Sequence, residues 1–221
     1  MRAGVVLEVF ATAEAIARDP SLLAGVAVDE ISPKDAAALS ETVTPQGLVA
    51  VCRRVDTAVA DVLALAPRLL AVLVEPNDPG NLGTIIRTAD AAGADAVVLD
   101  GGVDPYNGKA VRASAGSLFH VPVVECPVAD LLAGAAAAGL RVLATTGRAD
   151  RTLDDLADDG SLAGPTAWLF GNEAHGLPDE VLAGVDGTVR VPIYGAAESL
   201  NLAAAAAVCL YASARAQRAA G

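Results

Sequence analysis

Leu69-Leu70-Ala71-Val72-Leu73-Val74 runs straight into Glu75-Pro76-Asn77-Asp78-Pro79-Gly80-Asn81-Leu82-Gly83, and this passage decides the fold class. Six apolar residues without alternation describe a strand buried on both faces. The Pro/Gly/Asn/Asp cluster after it is a turn, and Leu82–Ala92 then follows a helical pattern. Outward from here, punctuated apolar runs recur at Ala96–Leu99, Val121–Val124, Arg141–Ala144, Ala167–Phe170 and Thr188–Val191. Helical stretches separate several of them, at Ala129–Ala138 and Asp179–Ala183, and a last Ala-rich helix covers about Leu200 to Ala219. Strands alternating with helices predict an α/β fold: a mostly parallel sheet with helices on both faces.

The front of the chain repeats the alternation on a smaller scale. Val5–Phe10 reads as a strand, and Thr12–Arg18 as a helix capped by Thr12 with Glu14 in its first turn. Val26–Val28 is a short strand, Ser32-Pro33 opens a helix through Leu39, and Leu48–Val55 closes the segment as a strand after the turn Thr44-Pro45-Gln46-Gly47. The spacing predicts a small α/β domain over residues 1–55, a linker with room for a helical turn over 56–68, and the larger domain over 69–221.

Composition narrows the function classes. The chain has 221 residues, 53% of them hydrophobic, which is ample for a core. No apolar run reaches the roughly 18 to 20 residues of a membrane span, and Met1-Arg2-Ala3-Gly4 opens no signal-peptide pattern. Cys52, Cys126 and Cys209 are scattered in apolar surroundings, so they predict neither disulfides nor a metal site and fit a reducing cytoplasm. With His120 and His175 as the only histidines, no zinc-binding spacing exists. The net charge of −12 weighs against general, sequence-independent affinity for nucleic acid.

Three polar clusters follow apolar strands, where open parallel sheets bind their ligands. The first contains Asn81 and, six residues later on a helix, Arg87. The second is Gly171-Asn172-Glu173-Ala174-His175-Gly176-Leu177-Pro178, two glycines bracketing a carboxylate. The third is Val191-Pro192-Ile193-Tyr194-Gly195 with Glu198-Ser199-Leu200-Asn201, at the mouth of the last helix. Each has a plain alternative: Asn81 as a helix cap with Arg87 a surface cation, Glu173 solvated in a tight turn, and Ser199 as an N-cap. The first cluster lacks the G-x-G-x-x-G fingerprint.

Taken together, in order and spacing, the three clusters resemble the signatures of the SpoU/TrmH family of RNA ribose 2′-O-methyltransferases, in the SPOUT superfamily. The resemblance extends through Thr88-Ala89-Asp90-Ala91-Ala92-Gly93 after the first cluster and through Lys109–Phe119 between the first two. The stretch Ser40-Glu41-Thr42-Val43-Thr44-Pro45-Gln46-Gly47 is similar to the end of a small RNA-binding domain found in many members. Members with that domain usually carry a further basic stretch ahead of it, so the resemblance implies a front domain shortened at its N-terminus, a misassigned start, or RNA affinity supplied elsewhere.

The family resemblance implies a sheet whose C-terminal part threads a trefoil knot, an exception to the usual absence of knots, and a homodimer. It implies S-adenosylmethionine in the knot loops, contacted largely by backbone at Gly171, Val191 and Leu200 beside Thr145, Asn172, Ile193 and Ser199. It places Arg87 near the ribose 2′-hydroxyl and the substrate phosphate, with Asn81, Glu173, Ser199 and Asn201 at the remaining polar positions. A guanidinium with a pKa above about 12 is a poor base, so Arg87 suits holding phosphate and orienting the nucleophile. Gln46, Lys109, Arg112 and Arg148 are candidate RNA contacts, with solvated surface positions as the alternative. His175 sits at a variable family position and reads as a loop residue. The two-domain layout favours ribosomal over transfer RNA. A non-catalytic RNA-binding protein would not need the complete polar set, and a serine hydrolase built on Ser199 and His175 lacks the G-x-S-x-G elbow.

Overall fold

The computed structural model describes residues 4–40 and 42–220. Met1 to Ala3 and Glu41, which the sequence reading assigned to the front domain, lie outside the described residues, as does Gly221. The chain divides into two units, Met1–Val55 and Asp56–Gly221.

The smaller unit contains β1 (Val6–Ala11), α1 (Ala13–Arg18), β2 (Asp29–Glu30), α2 (Pro33–Leu39) and β3 (Leu48–Cys52). Its sheet order is β2-β1-β3, with β2 parallel and β3 antiparallel to β1. Thr12 and Ser32 cap the two helices by accepting from the Ala15 and Asp35 backbone N–H groups. The second strand lies just beyond the apolar Val26–Val28 stretch. Ladder bonds come from backbone atoms, and the register against Phe10 and Ala11 selects Asp29 and Glu30.

The larger unit opens with α3 (Val59–Ala64), inside the stretch read as a linker; its Val62 is buried in a core cluster. Then follow β4 (Leu69–Val74), α4 (Pro79–Ala92), β5 (Ala96–Asp100), α5 (Gly108–Ala113), β6 (Val123–Glu125) and α6 (Val128–Ala135). The chain continues through β7 (Arg141–Thr145), α7 (Leu153–Asp158), β8 (Thr166–Phe170), α8 (Asp179–Leu182), β9 (Gly187–Val189) and α9 (Leu202–Ala220). The sheet order is β6-β5-β4-β8-β7-β9 and every ladder is parallel.

Side-chain alternation divides the core in two. Leu69, Ala71, Leu73, Trp168 and Phe170 face α4, α5, α7 and α9, while Leu70, Val72, Val74, Ala167 and Leu169 face α3, α6 and α8. Helices therefore cover both faces of the parallel sheet, as expected from the unbroken apolar strands. Among the described residues, no helix is long and apolar enough to cross a membrane.

Two helix starts differ from the sequence reading. Helix α4 begins at Pro79, capped by Asp78, whose carboxylate accepts from Gly80 N–H; Asn81 lies inside the first turn. Helix α9 begins at Leu202, and Asn201 rather than Ser199 accepts from the Ala203 and Ala204 N–H groups. Both shifts free side chains for the site described below.

Helix α9 is anchored by polar bonds in an otherwise apolar interface. The Trp168 Nε1–H donates to Ser213 Oγ at 2.9 Å, and both residues are fully buried. Gln217 donates from Nε2 to the Arg68 and Gly164 carbonyls. Ser213→Ala strands the indole N–H without a partner, so it is expected to lower the unfolding free energy by about 1–3 kcal/mol in urea denaturation. An unchanged midpoint would contradict this role for Ser213.

Candidate active site

The loops following β4, β7, β8 and β9 gather at the C-terminal edge of the sheet. Three of them are joined by side-chain hydrogen bonds. Asn81, on the first turn of α4, donates from Nδ2 to Glu173 Oε1 at 3.0 Å. Its Oδ1 accepts from Asn201 Nδ2 at 2.9 Å. Asn201 Oδ1 accepts in turn from the first N–H groups of α9, and Glu173 Oε2 accepts from Asn77 N–H at 3.2 Å. Donors and acceptors alternate without conflict from the α9 terminus through Asn201 and Asn81 to Glu173, which fixes both carboxamide orientations.

Glu173 is poised as an anion. Partial burial pushes its carboxyl up, but the bonds from the Asn81 amide and from nearby backbone N–H groups outweigh it, so its pKa lies below the usual carboxylate value. Those bonds contribute stability above the unfolded-chain pKa and lose it as pH falls through the lowered folded value. In Glu173→Gln the second oxygen becomes a donor facing Asn77 N–H. The stability gap between wild type and Glu173→Gln is therefore expected to stay constant near neutrality and to close as pH falls through the Glu173 range, measured by urea melts at stepped pH. A gap that widens in acid would contradict the assignment.

Arg87 projects from α4 six residues beyond Asn81, about 9 Å along the helix axis. It is exposed and makes no hydrogen bond or ion pair among the described residues. Its guanidinium is thus available to an incoming ligand.

Beside the polar relay lies an open cleft of about 240 Å³. Five of the residues assigned to the cofactor line it: Thr145, Val191, Ile193, Ser199 and Leu200. Thr146, Gly147, Arg190, Glu198 and Ala205 line it too and were not among the assigned residues. For Arg190 and Glu198 a signal was present, since one directly precedes the Val191-Pro192-Ile193 strand end and the other opens Glu198-Ser199-Leu200-Asn201. Leu200 lies in the cleft and its chain neighbour Asn201 in the relay, so the two features share one segment.

Gly171 and Asn172 do not line this cleft. The Asn172 side chain is committed to its own loop, accepting from Ala174 and His175 N–H and donating to the Glu75 carbonyl at 2.8 Å. Its backbone exchanges two hydrogen bonds with Gly176. A Cβ on Gly171 would come within 2.3 Å of the Gly176 carbonyl carbon, so both residues close the loop that carries Glu173. Glu75 itself holds a left-handed φ of +50°, an uncommon conformation for a residue with a side chain.

The candidate RNA contacts differ among themselves. Lys109 is paired with Asp78 at 2.6 Å, where it supports the α4 cap and helps hold that carboxyl below its ordinary range. Arg112, in the last turn of α5, and Arg148, in the loop after β7, are exposed. In the smaller unit the Gln46 side chain is exposed, and the Gln46 backbone carbonyl accepts from Arg18 Nη2 at 3.0 Å. His175 is an exposed loop residue.

The family model of the SpoU rRNA Methylase family matches residues 68–211. The chain belongs to this family. Among SpoU relatives, the Bacillus subtilis 23S rRNA (guanosine(2553)-2′-O)-methyltransferase RlmP is 40% identical over 210 residues, covering 94% of this chain and 80% of that protein. The AdoMet-bound rRNA methyltransferase from Sinorhizobium meliloti superposes with a TM-score of 0.82 at 31% identity, covering 95% of this chain and 80% of that one. The SpoU methyltransferase AviRb from Streptomyces viridochromogenes, in complex with AdoMet, gives a TM-score of 0.80 at 32% identity, covering 98% and 84%.

Proposed function

We propose that this chain transfers the methyl group of S-adenosylmethionine to a ribose 2′-hydroxyl of ribosomal RNA. The observation that carries this reading is the hydrogen-bonded relay Glu173–Asn81–Asn201, which joins three loops beside a cleft lined by the same terminal segment. The similar proteins named above, with their rRNA substrate and AdoMet ligands, support it.

The cleft suits the cofactor. Val191, Ile193 and Leu200 give apolar walls for a purine; the Thr145 hydroxyl donates to the Leu169 carbonyl and keeps acceptor capacity, and the Thr146 hydroxyl can donate. Its volume lies just under the roughly 300–1,000 Å³ of small-molecule sites, consistent with an open, edge-bound ligand. In this reading Thr145, Val191, Ile193, Ser199 and Leu200 hold S-adenosylmethionine, and Asn172 with Gly171 fixes the neighbouring loop. When bound, the cofactor supplies an electrophilic methyl group on a sulfonium.

Arg87 holds the substrate phosphate and orients the 2′-oxygen, a task suited to a permanently charged fork of donors. Glu173, hydrogen-bonded and held below the usual carboxylate range, is poorly matched to base catalysis near neutrality. The chain's contribution is therefore alignment, which is worth several kcal/mol of barrier. Glu173 and Asn201 hold Asn81 and, through it, the start of the helix that carries Arg87.

The strand order, with β8 inserted between β4 and β7, supports a knotted passage of residues 190–201 toward α9. Exposed Val208 and Tyr211 on α9 offer an apolar surface for a homodimer. The front unit is proposed as an RNA-binding module. Titration calorimetry with S-adenosylmethionine tests the reading: one site per chain is expected, and absence of binding would overturn it.

A further inference from the structure

Of the side chains lining the cleft, two are charged, and they are opposite in sign: Arg190 and Glu198. They make no ion pair with each other among the described residues. Arg190 is half-buried and its backbone is pinned, its N–H donating to the Arg151 carbonyl and its own carbonyl accepting from Leu153 N–H. The one hydrogen bond of its guanidinium among the described residues is a long one, Nε to the Ala149 carbonyl at 3.4 Å. Asp155, whose charge interacts with that of Arg190, has its carboxylate engaged by Thr152 N–H and Oγ1 at 2.8 and 2.7 Å. Glu198 is exposed on the loop that forms the opposite end of the lining segment and has no hydrogen bond or ion pair among the described residues.

One cation and one anion, held apart in an otherwise uncharged cleft, match an α-amino-acid zwitterion. A guanidinium pairs with a carboxylate through two parallel donors, and a carboxylate accepts from an ammonium. We propose that Arg190 binds the carboxylate, and Glu198 the ammonium, of the amino-acid end of S-adenosylmethionine. This rests on the reading of the cleft as the cofactor site. It adds a charged clamp to a pocket whose other walls are uncharged, and it orients the methionine arm and hence the methyl group.

The test compares two ligands by calorimetry on the full chain. S-adenosylhomocysteine carries the amino-acid end, whereas 5′-methylthioadenosine has the same adenosine and a thioether without it. Wild type is expected to bind S-adenosylhomocysteine more tightly. Arg190→Gln and Glu198→Gln are each expected to weaken that ligand about tenfold or more, as for loss of a charge-assisted bond. Both should bind 5′-methylthioadenosine within about twofold of wild type, and Arg190→Lys should restore part of the loss. Equal weakening of both ligands would reduce Arg190 to a structural role and overturn the proposal, as would unchanged S-adenosylhomocysteine affinity in both Gln variants. If wild type binds neither ligand, the cofactor reading itself falls and the clamp with it, an outcome distinct from the other two.

Discussion

Arg87→Ala is expected to lower turnover on the order of 10³-fold, the scale seen when one preorganised electrostatic contact to a reacting group is removed. Cofactor affinity should stay within about twofold, since Arg87 does not line the cleft. The prediction follows from where α4 places its side chains. Asn81 is bound to Glu173 and Asn201, whereas Arg87 is exposed and free of partners among the described residues. Arg87→Lys keeps the charge but loses the planar fork, so it should recover only part of the activity. The check is single-turnover methyl transfer alongside calorimetry with S-adenosylhomocysteine. If cofactor affinity fell as steeply as turnover, Arg87 would belong to the cofactor and not to the RNA.

Gly83→Ala is expected to destabilise the chain by about 3 kcal/mol or more, the upper range for overpacking. In an ordinary helix interior the same change stabilises by roughly 0.5–1 kcal/mol, so the sign itself is diagnostic. A Cβ on Gly83 would stand 2.3 Å from the Ala110 carbonyl oxygen, 2.6 Å from Ala113 Cβ and 3.0 Å from Ser114 N. These belong to α5 and its C-terminal end, where backbone cannot give way cheaply. Gly80 provides the contrast. Its Cβ would meet the flexible end of Lys109, at 3.1 Å from Cε, so Gly80→Ala should be mild. Urea denaturation of both variants checks the pair. A Gly83→Ala protein as stable as wild type would mean that α4 and α5 do not pack through this glycine.

The strand pattern was legible because burial on both faces leaves long apolar runs. The apolar run Leu69–Val74 matches β4 to the residue, and the other five apolar runs each overlap one strand of the large sheet. Helix ends were less legible for a specific reason. The stretch 77–81 holds several residues able to cap, and so does 198–201; tertiary bonds decide between them. Asn81 is not a cap because Glu173 and Asn201 engage its amide, which leaves Asp78 to cap α4. Helices α5 and α7 were not read from the sequence, although Thr152 and Asp155 form a capping box at the α7 start.

The candidate site was legible as three separate motifs, but not as one hydrogen-bonded object. Asn81 and Glu173 are 92 positions apart, and Asn81 and Asn201 are 120 apart. Their contact comes from the sheet order, which brings the ends of β4 and β8 side by side. Arg190 and Glu198 adjoin the third polar cluster in the sequence, but what relates them to each other is the cleft, which only the fold assembles.

The most direct test of the account is product analysis. The purified chain is incubated with methyl-labelled S-adenosylmethionine and ribosomal RNA from cells lacking the gene, and the RNA is digested to nucleosides. Label is expected in a single 2′-O-methylated nucleoside, at one site, and to appear on the order of 10³-fold more slowly with Arg87→Ala. Label in a base-methylated nucleoside, or no transfer by a chain that binds the cofactor, would contradict it.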